Sequence, residues 1–194
     1  MKEILFFSNN ENKIVEISNL FLKSNYKVFN LNDFNKIDSP DEIGSTFKQN
    51  AKIKSLYGLK KFNKICFADD SGICIDAMDG KPNVSSKKFL GSESNKFSVF
   101  NKIISRAENR KNFKAFFETS ICLSLNIKDH IFFSGKVNGK ISKTIRGFNG
   151  FGYDSIFIPN GYKVTFAQMD QKEKNLISHR GLAIKKLKKY LNLI

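Results

Sequence analysis

The spacing of apolar residues changes several times along the chain, and each change marks an element. Ile4-Leu5-Phe6-Phe7 is an unbroken apolar run and predicts a buried strand. Ser8-Asn9-Asn10-Glu11-Asn12-Lys13 follows as a polar loop, after which Ile14, Ile17 and Phe21 recur at helical spacing. Asp33 to Pro40 is loop-like. Thr46 with Gln49 is a capping-box pattern and predicts a helix starting near Phe47, with Glu42 in the glycine-containing loop before it. Asn50 and Lys54 share one face of that helix and by themselves read as a solvated polar face. Ile65 to Ala68 predicts a strand that ends on Asp69-Asp70-Ser71-Gly72, with Ile73-Cys74-Ile75 as a second apolar run. Alone, that acidic stretch reads as a polar turn, because Asp, Ser and Gly are ordinary turn residues.

In the second half, Asp76 to Asn83 is a loop marked by Gly80 and Pro82, and Phe97, Phe100, Ile104 and Ala107 form a helical core stripe. Residues 113–127 alternate with period two, with Phe113, Ala115, Phe117, Thr119, Ile121, Leu123, Leu125 and Ile127 on one side of a half-buried strand. Lys128-Asp129 turns the chain, and Ile131 to Val137 returns as a hairpin partner, so the sheet is expected to be mixed. Gly147, Gly150 and Gly152 punctuate Arg146 to Asp154; such glycines supply backbone freedom or close approach, not regular structure. Ile156-Phe157-Ile158 is a short strand, and Ser178 is an N-cap for a last helix with Leu182, Leu187 and Leu191 inward.

Composition narrows the class. At 194 residues and 41% hydrophobic content the chain can bury a core as one domain over 1–194, and no linker, repeat or low-complexity tract divides it. Twenty Phe and no Trp predict a core built on phenylalanine. Thirty-three Lys and Arg against 18 Asp and Glu leave a net charge of +15, which favours an anionic ligand or surface. Part of that excess is a lysine-rich composition spread through the whole chain, as on the C-terminal face of Lys185, Lys186, Lys188 and Lys189. Cys66, Cys74 and Cys122 fit neither a disulfide framework nor a zinc site and indicate a reducing compartment. The first apolar run is too short for a signal peptide, and no 18-residue apolar stretch exists, so the expectation is a soluble cytoplasmic protein with no membrane contact.

Candidate chemistry gathers at three places. Adjacent Asp69 and Asp70 at a strand end repel each other and desolvate badly unless a cation or solvent compensates them. The strand, polar loop and helix around Ser8 to Lys13 present N–H groups and a positive dipole end to an anion. Lys13 opposes that dipole, which makes sense with a phosphate lying between them. The aromatic, glycine-rich loop ending at Asp154 has the composition to stack on a ring and accept its hydrogen bonds. His179 and Arg180, at a helix start, invite an anionic or carbonyl-bearing ligand, with a satisfied surface histidine as the plainer alternative.

Taken together these stretches resemble the inosine triphosphate pyrophosphatase family, nearly end to end. The segments are Ser8 to Lys13 with Glu16, Gly44-x-Thr46-Phe47-x-x-Asn50-Ala51-x-x-Lys54, Ala68-Asp69-Asp70-Ser71-Gly72, Gly80-x-Pro82, Gly150 to Asp154, and Glu173-Lys174-x-x-x-Ser178-His179-Arg180. The resemblance implies a mixed, elongated α/β sheet flanked by helices, two lobes with a central cleft, and a homodimer. It implies Mg²⁺-dependent attack of water on the α-phosphorus of a non-standard purine nucleoside triphosphate, giving the monophosphate and pyrophosphate. Glu42 and Asp70 would hold the metal, Asp70 would also orient or deprotonate the water, and Asp69 would be a supporting acid. Ser8, Asn9, Asn10, Glu11, Asn12, Lys13 and Lys54 would cradle the triphosphate, and Ser71 would touch the substrate. Phe151 would stack on the base, while Gly152, Tyr153, Asp154, Lys174, His179 and Arg180 would line its pocket. The chain departs from the family pattern at Ser8-Asn9, at Asn83, Ser85 and Lys88, and at Ser155.

Two other classes are weaker. A nucleic-acid-binding protein would be served by +15, but the cations are dispersed and no RNA-binding aromatic motif occurs. A phosphomonoesterase working through an aspartyl phosphate wants Asp-x-Asp, and Asp69-Asp70 lacks that spacing.

Overall fold

The computed structural model describes residues 2–22, 24–34 and 38–192. In chain order its elements are β1 (Lys2–Phe6), α1 (Glu11–Phe21), β2 (Tyr26–Phe29), α2 (Phe47–Phe62), β3 (Cys66–Ile75), α3 (Ser86–Leu90), α4 (Lys96–Asn109), β4 (Lys114–Ser124), β5 (His130–Ile141), β6 (Phe157–Pro159), α5 (Gln171–Ile177) and α6 (His179–Leu191), with short 3-10 turns between them. The six strands form one sheet in the order β2-β1-β3-β4-β5-β6. β1 runs parallel to β2 and β3, whereas β5 and β6 are antiparallel, so the sheet is mixed, as expected.

The chain divides into two compact units. One comprises residues up to Asp70, Thr119–Ser134 and the chain from Ala183 on; the other comprises Ser71–Glu118 and Gly135–Leu182. The first unit has a separate cluster on each side of its strands. Ile4, Phe6, Phe67, Ile121 and Leu123 pack with Ile14, Ile17 and Phe21 of α1 and with Ala183, Ile184 and Leu187 of α6. Leu5, Phe7, Cys66 and Ala68 pack with Tyr57, Leu59 and Phe62 of α2. Alternate strand residues therefore serve opposite faces, as strand geometry requires. The second unit is centred on Phe100, Phe117, Tyr153, Phe157 and Phe166, the phenylalanine-rich core that the composition predicts.

Helix α2 lies close enough to β1 and β3 that only glycine fits at one point. A Cβ on Gly58 would stand 2.6 Å from Cys66 Sγ and 2.8 Å from the Phe7 ring, both of them core atoms. Gly58→Ala is therefore expected to lower stability by about 1–3 kcal/mol, although alanine is the better helix former. An unchanged or raised unfolding midpoint would refute this packing argument.

Several local expectations change. Glu11, Asn12 and Lys13 belong to the first turn of α1, because the Asn10 side chain caps the helix by accepting from Lys13 N–H. Asp69 to Gly72 is no turn: β3 runs unbroken through them. Phe97 leaves the core stripe and is 61% exposed, with Ile103 taking the buried position instead. β4 is half-buried only in its first part; from Thr119 to Ser124 both faces are covered. Ser178 does cap the last helix, accepting from Gly181 N–H at 3.0 Å. Its own N–H closes α5 on the Lys174 carbonyl, so one residue joins two helices.

Candidate active site

Because β3 does not turn, Asp69 and Asp70 point to opposite faces and their carboxylates do not crowd each other. Each meets its own lysine from a different helix. Asp69, only 1% exposed, lies on the α1 side, where Lys13 Nζ is 3.0 Å from both of its oxygens. Asp70 lies on the α2 side, where Asn50 Nδ2 donates to Oδ2 at 3.0 Å and Lys54 Nζ is 3.9 Å from Oδ1. Lys54 is also 3.0 Å from Glu42, so two carboxylates from separate segments share one ammonium. Asn50 and Lys54 are buried, which overturns the solvated-face reading of α2: their face of the helix covers Asp70. Thr119 on β4 donates to the Asp70 carbonyl at 3.1 Å and reaches Asp69 Oδ2 at 3.5 Å, a contact the period-two pattern alone did not single out.

Burial raises the proton affinity of the Asp70 carboxyl above that of an ordinary aspartate. That desolvation outweighs the opposing pull of Lys54, Lys13 and the Asn50 hydrogen bond, and Glu42 adds to the rise. The first loop is organised mainly by its own polar groups. Ser8 Oγ accepts from Asn10 N–H at 3.2 Å, and Asn9 donates to Ser39. Glu11 is exposed and accepts from Asn32, a carboxylate well placed for the α1 dipole, and Asn12 is exposed.

In the second unit the glycine-rich loop folds around a buried ion pair. Asp154 Oδ2 accepts from Lys174 Nζ at 2.8 Å and from Phe151 N–H at 2.9 Å. Gly150 has φ +75°, and a Cβ there would collide with the same carboxylate, so this glycine is required for the approach. Phe151 is half-buried, with Lys174 Nζ 5.0 Å and the Arg180 guanidinium carbon 5.7 Å from its ring centroid. Arg180 also donates to Ser71 Oγ at 3.0 Å. His179 is no surface residue: it is buried and stacked on Phe117, with centroids 4.7 Å apart and planes 7° off parallel. Gly152 has φ +63° and open space about its Cα. Tyr153 turns away from the loop into the core, where its hydroxyl donates to the Ser86 carbonyl at 2.7 Å and its ring lies near Phe100. Its side chain is a packing element and leaves only main chain for a ligand. Asp154 likewise builds the loop through Oδ2.

Reactive thiols do not enter this chemistry. Burial raises the pKa of Cys66, Cys122 and Cys74, the last to about 11, which keeps each as an inert thiol at neutral pH.

One set of groups thus suits anionic oxygens and cations, and the other suits a planar ring. This is the equipment of an α/β protein that processes a nucleotide. Residues 4–190 match the model of the Ham1 family, and the chain belongs to that family. A relative from Flavobacterium johnsoniae named dITP/XTP pyrophosphatase is 40% identical over 185 residues, covering 95% of each chain. One of the same name from Porphyromonas gingivalis is 35% identical over 194 residues and 98% of each chain. Among solved structures, a HAM1 protein from Coxiella burnetii superposes over all of both chains with a TM-score of 0.89 at 33% identity. The Staphylococcus aureus Ham1 protein does so over 98% of each with a TM-score of 0.85 at 34% identity. The resemblance carried by the short motifs therefore extends through the whole fold.

Proposed function

We propose that this protein is a nucleoside triphosphate pyrophosphatase that hydrolyses the non-standard purine nucleotides dITP, ITP and XTP, removing them from the precursor pool for DNA and RNA. The observation that carries the reading is the paired arrangement on β3, two buried carboxylates each faced by a helix-borne lysine. Family membership and the relatives' names support the substrate class. Water attacks the α-phosphorus, the bond from that phosphorus to the bridging oxygen breaks, and pyrophosphate leaves with the bonding electrons. Lys13 and Lys54 are assigned to the phosphate oxygens, which need charge neutralisation more than a covalent nucleophile. Asp70 is assigned to orient the water and take its proton.

Among the described residues no three His, Cys, Asp or Glu side chains gather as a metal cage. Mg²⁺ does not need one, since it keeps waters and substrate oxygens and takes one or two carboxylates from protein. Glu42 and Asp70, which already converge on one ammonium, have the donor chemistry to hold it. Bound there, Mg²⁺ would supply charge neutralisation and a more acidic water.

Phe151 is assigned to stack on the base, with Lys174, His179 and Arg180 as donors to a 6-oxo oxygen. Adenine offers an amino group there and would leave those donors unmatched. A homodimer in the cytoplasm is part of the same proposal, supported by the family pattern and by three free cysteines; a monomeric mass in solution would refute the dimer. The deciding assay is incubation with dITP, XTP and ATP plus Mg²⁺ and identification of the products. Monophosphate with intact pyrophosphate from dITP and XTP is expected, and orthophosphate as the first product refutes the proposal. Phe151→Ala is expected to raise KM about tenfold, the scale of one lost base stack; an unchanged KM refutes the stacking role.

A further inference from the structure

Asn50 lies between the two segments that bear the candidate metal carboxylates. Its Oδ1 accepts from Gly44 N–H at 2.7 Å, and its Nδ2 donates to Asp70 Oδ2 at 3.0 Å. The side chain is buried, so neither bond is shared with bulk water. The chemistry of the partners dictates the orientation of the amide: a backbone N–H only donates, and an ionised carboxylate only accepts. A carboxamide has one group of each kind at its end. Aspartate in its ionised form would lack the donor, leucine would lack both, and serine is too short to span the gap.

Capping does not account for these bonds. Gln49, one residue earlier, performs that role from the exposed side, accepting from Ser45 N–H and Thr46 N–H while Thr46 Oγ1 accepts from Gln49 N–H. Gly44 is fitted to the bridge: a Cβ there would stand 2.5 Å from Asn50 Oδ1 and 2.7 Å from Gln49 Cβ. One helical turn on, Lys54 spans the same two segments by charge, through Glu42 and Asp70. We infer that Asn50 is a positioning residue whose single carboxamide locks the Glu42-bearing loop to Asp70, setting the two carboxylates in register for one divalent cation. The inference rests on the function proposed above.

Asn50→Leu keeps the volume and removes both bonds. Gly44→Ala leaves Asn50 and Asp70 chemically intact and forces the loop off the bridge. Both are expected to lower kcat about 10- to 100-fold, with KM for dITP within about threefold of wild type, because alignment and not substrate contact is lost. Mn²⁺ binding to the nucleotide-free protein, read by water-proton relaxation, is expected to weaken about tenfold in both. Wild-type kcat and Mn²⁺ affinity in Gly44→Ala would overturn the inference. So would a loss of folding stability in both variants with Mn²⁺ affinity unchanged, the signature of a purely structural side chain. Should Asn50→Leu fail to fold, Gly44→Ala decides alone. If the wild-type protein releases no pyrophosphate, the functional proposal fails, and the Mn²⁺ measurement still decides whether the bridge exists.

Discussion

Asp70→Asn should reduce turnover about a thousandfold, within the range that a lost general base costs, while the folded protein becomes more stable at neutral pH. Both halves have one cause. Burial makes the ionised Asp70 costly even with the charge of Lys54 and Lys13 and the Asn50 hydrogen bond opposing it, so its pKa in the folded state is raised. The folded state then binds more protons than the unfolded chain between the unfolded aspartate pKa and the raised folded one. Stability falls as pH rises through that interval, and above it the whole cost is present. An asparagine has no charge to desolvate and no such slope. Thermal unfolding from pH 4 to 8 should therefore show the variant's midpoint above wild type at the upper end, with the curves converging toward the acid end. A variant that unfolds earlier than wild type at pH 8, or that turns over normally, would sink the assignment.

Asp154→Ala should be the most damaging single change in the second unit. It removes the carboxylate bonded to Lys174, which is 3% exposed, and the acceptor that holds Phe151 N–H. Breaking a buried pair on one side typically costs about 3–5 kcal/mol, because the remaining ion stays desolvated. KM should rise with the loss of stability, since the Phe151 ring is set by the same oxygen. Removing both charges in Asp154→Ala/Lys174→Met should recover about half of the lost stability, because an apolar side chain tolerates that site better than a lone ammonium. Urea unfolding of the single and double variants measures this directly. A double variant no more stable than Asp154→Ala would show that the ion pair is not the source of the effect.

The elements readable from sequence were those whose cause is local. Thr46 and Gln49 form their capping box within one turn of chain, and both of its bonds are present. The apolar run of β1 and the 14-17-21 spacing of α1 likewise carry their own burial signal. The family motifs also belong to this class, because they consist of residue types at short fixed spacing. What failed was decided by distant partners. Asn50 and Lys54 look like a solvated pair until β3 supplies Asp70. Tyr153 looks like a ligand-facing aromatic until Ser86 offers its carbonyl and Phe100 its ring.

The acidic pair shows where the division falls. From sequence alone, Asp69-Asp70 is a site of charge repulsion that needs cations, and its motif context ties it to nucleotide hydrolysis. Sequence also determines that the pair follows a strand run and that Lys13, Glu42 and Lys54 are candidates to attend it. Only the tertiary structure decides that β3 continues through the pair, which sends the carboxylates to opposite faces and gives α1 one of them and α2 the other. The low strand propensity of Asp and Gly is a local preference of about 1 kcal/mol, whereas extending the strand secures ladder hydrogen bonds and the Lys13 and Lys54 contacts together. Those gains depend on side chains far away in sequence, so no window around residues 69 and 70 contains them.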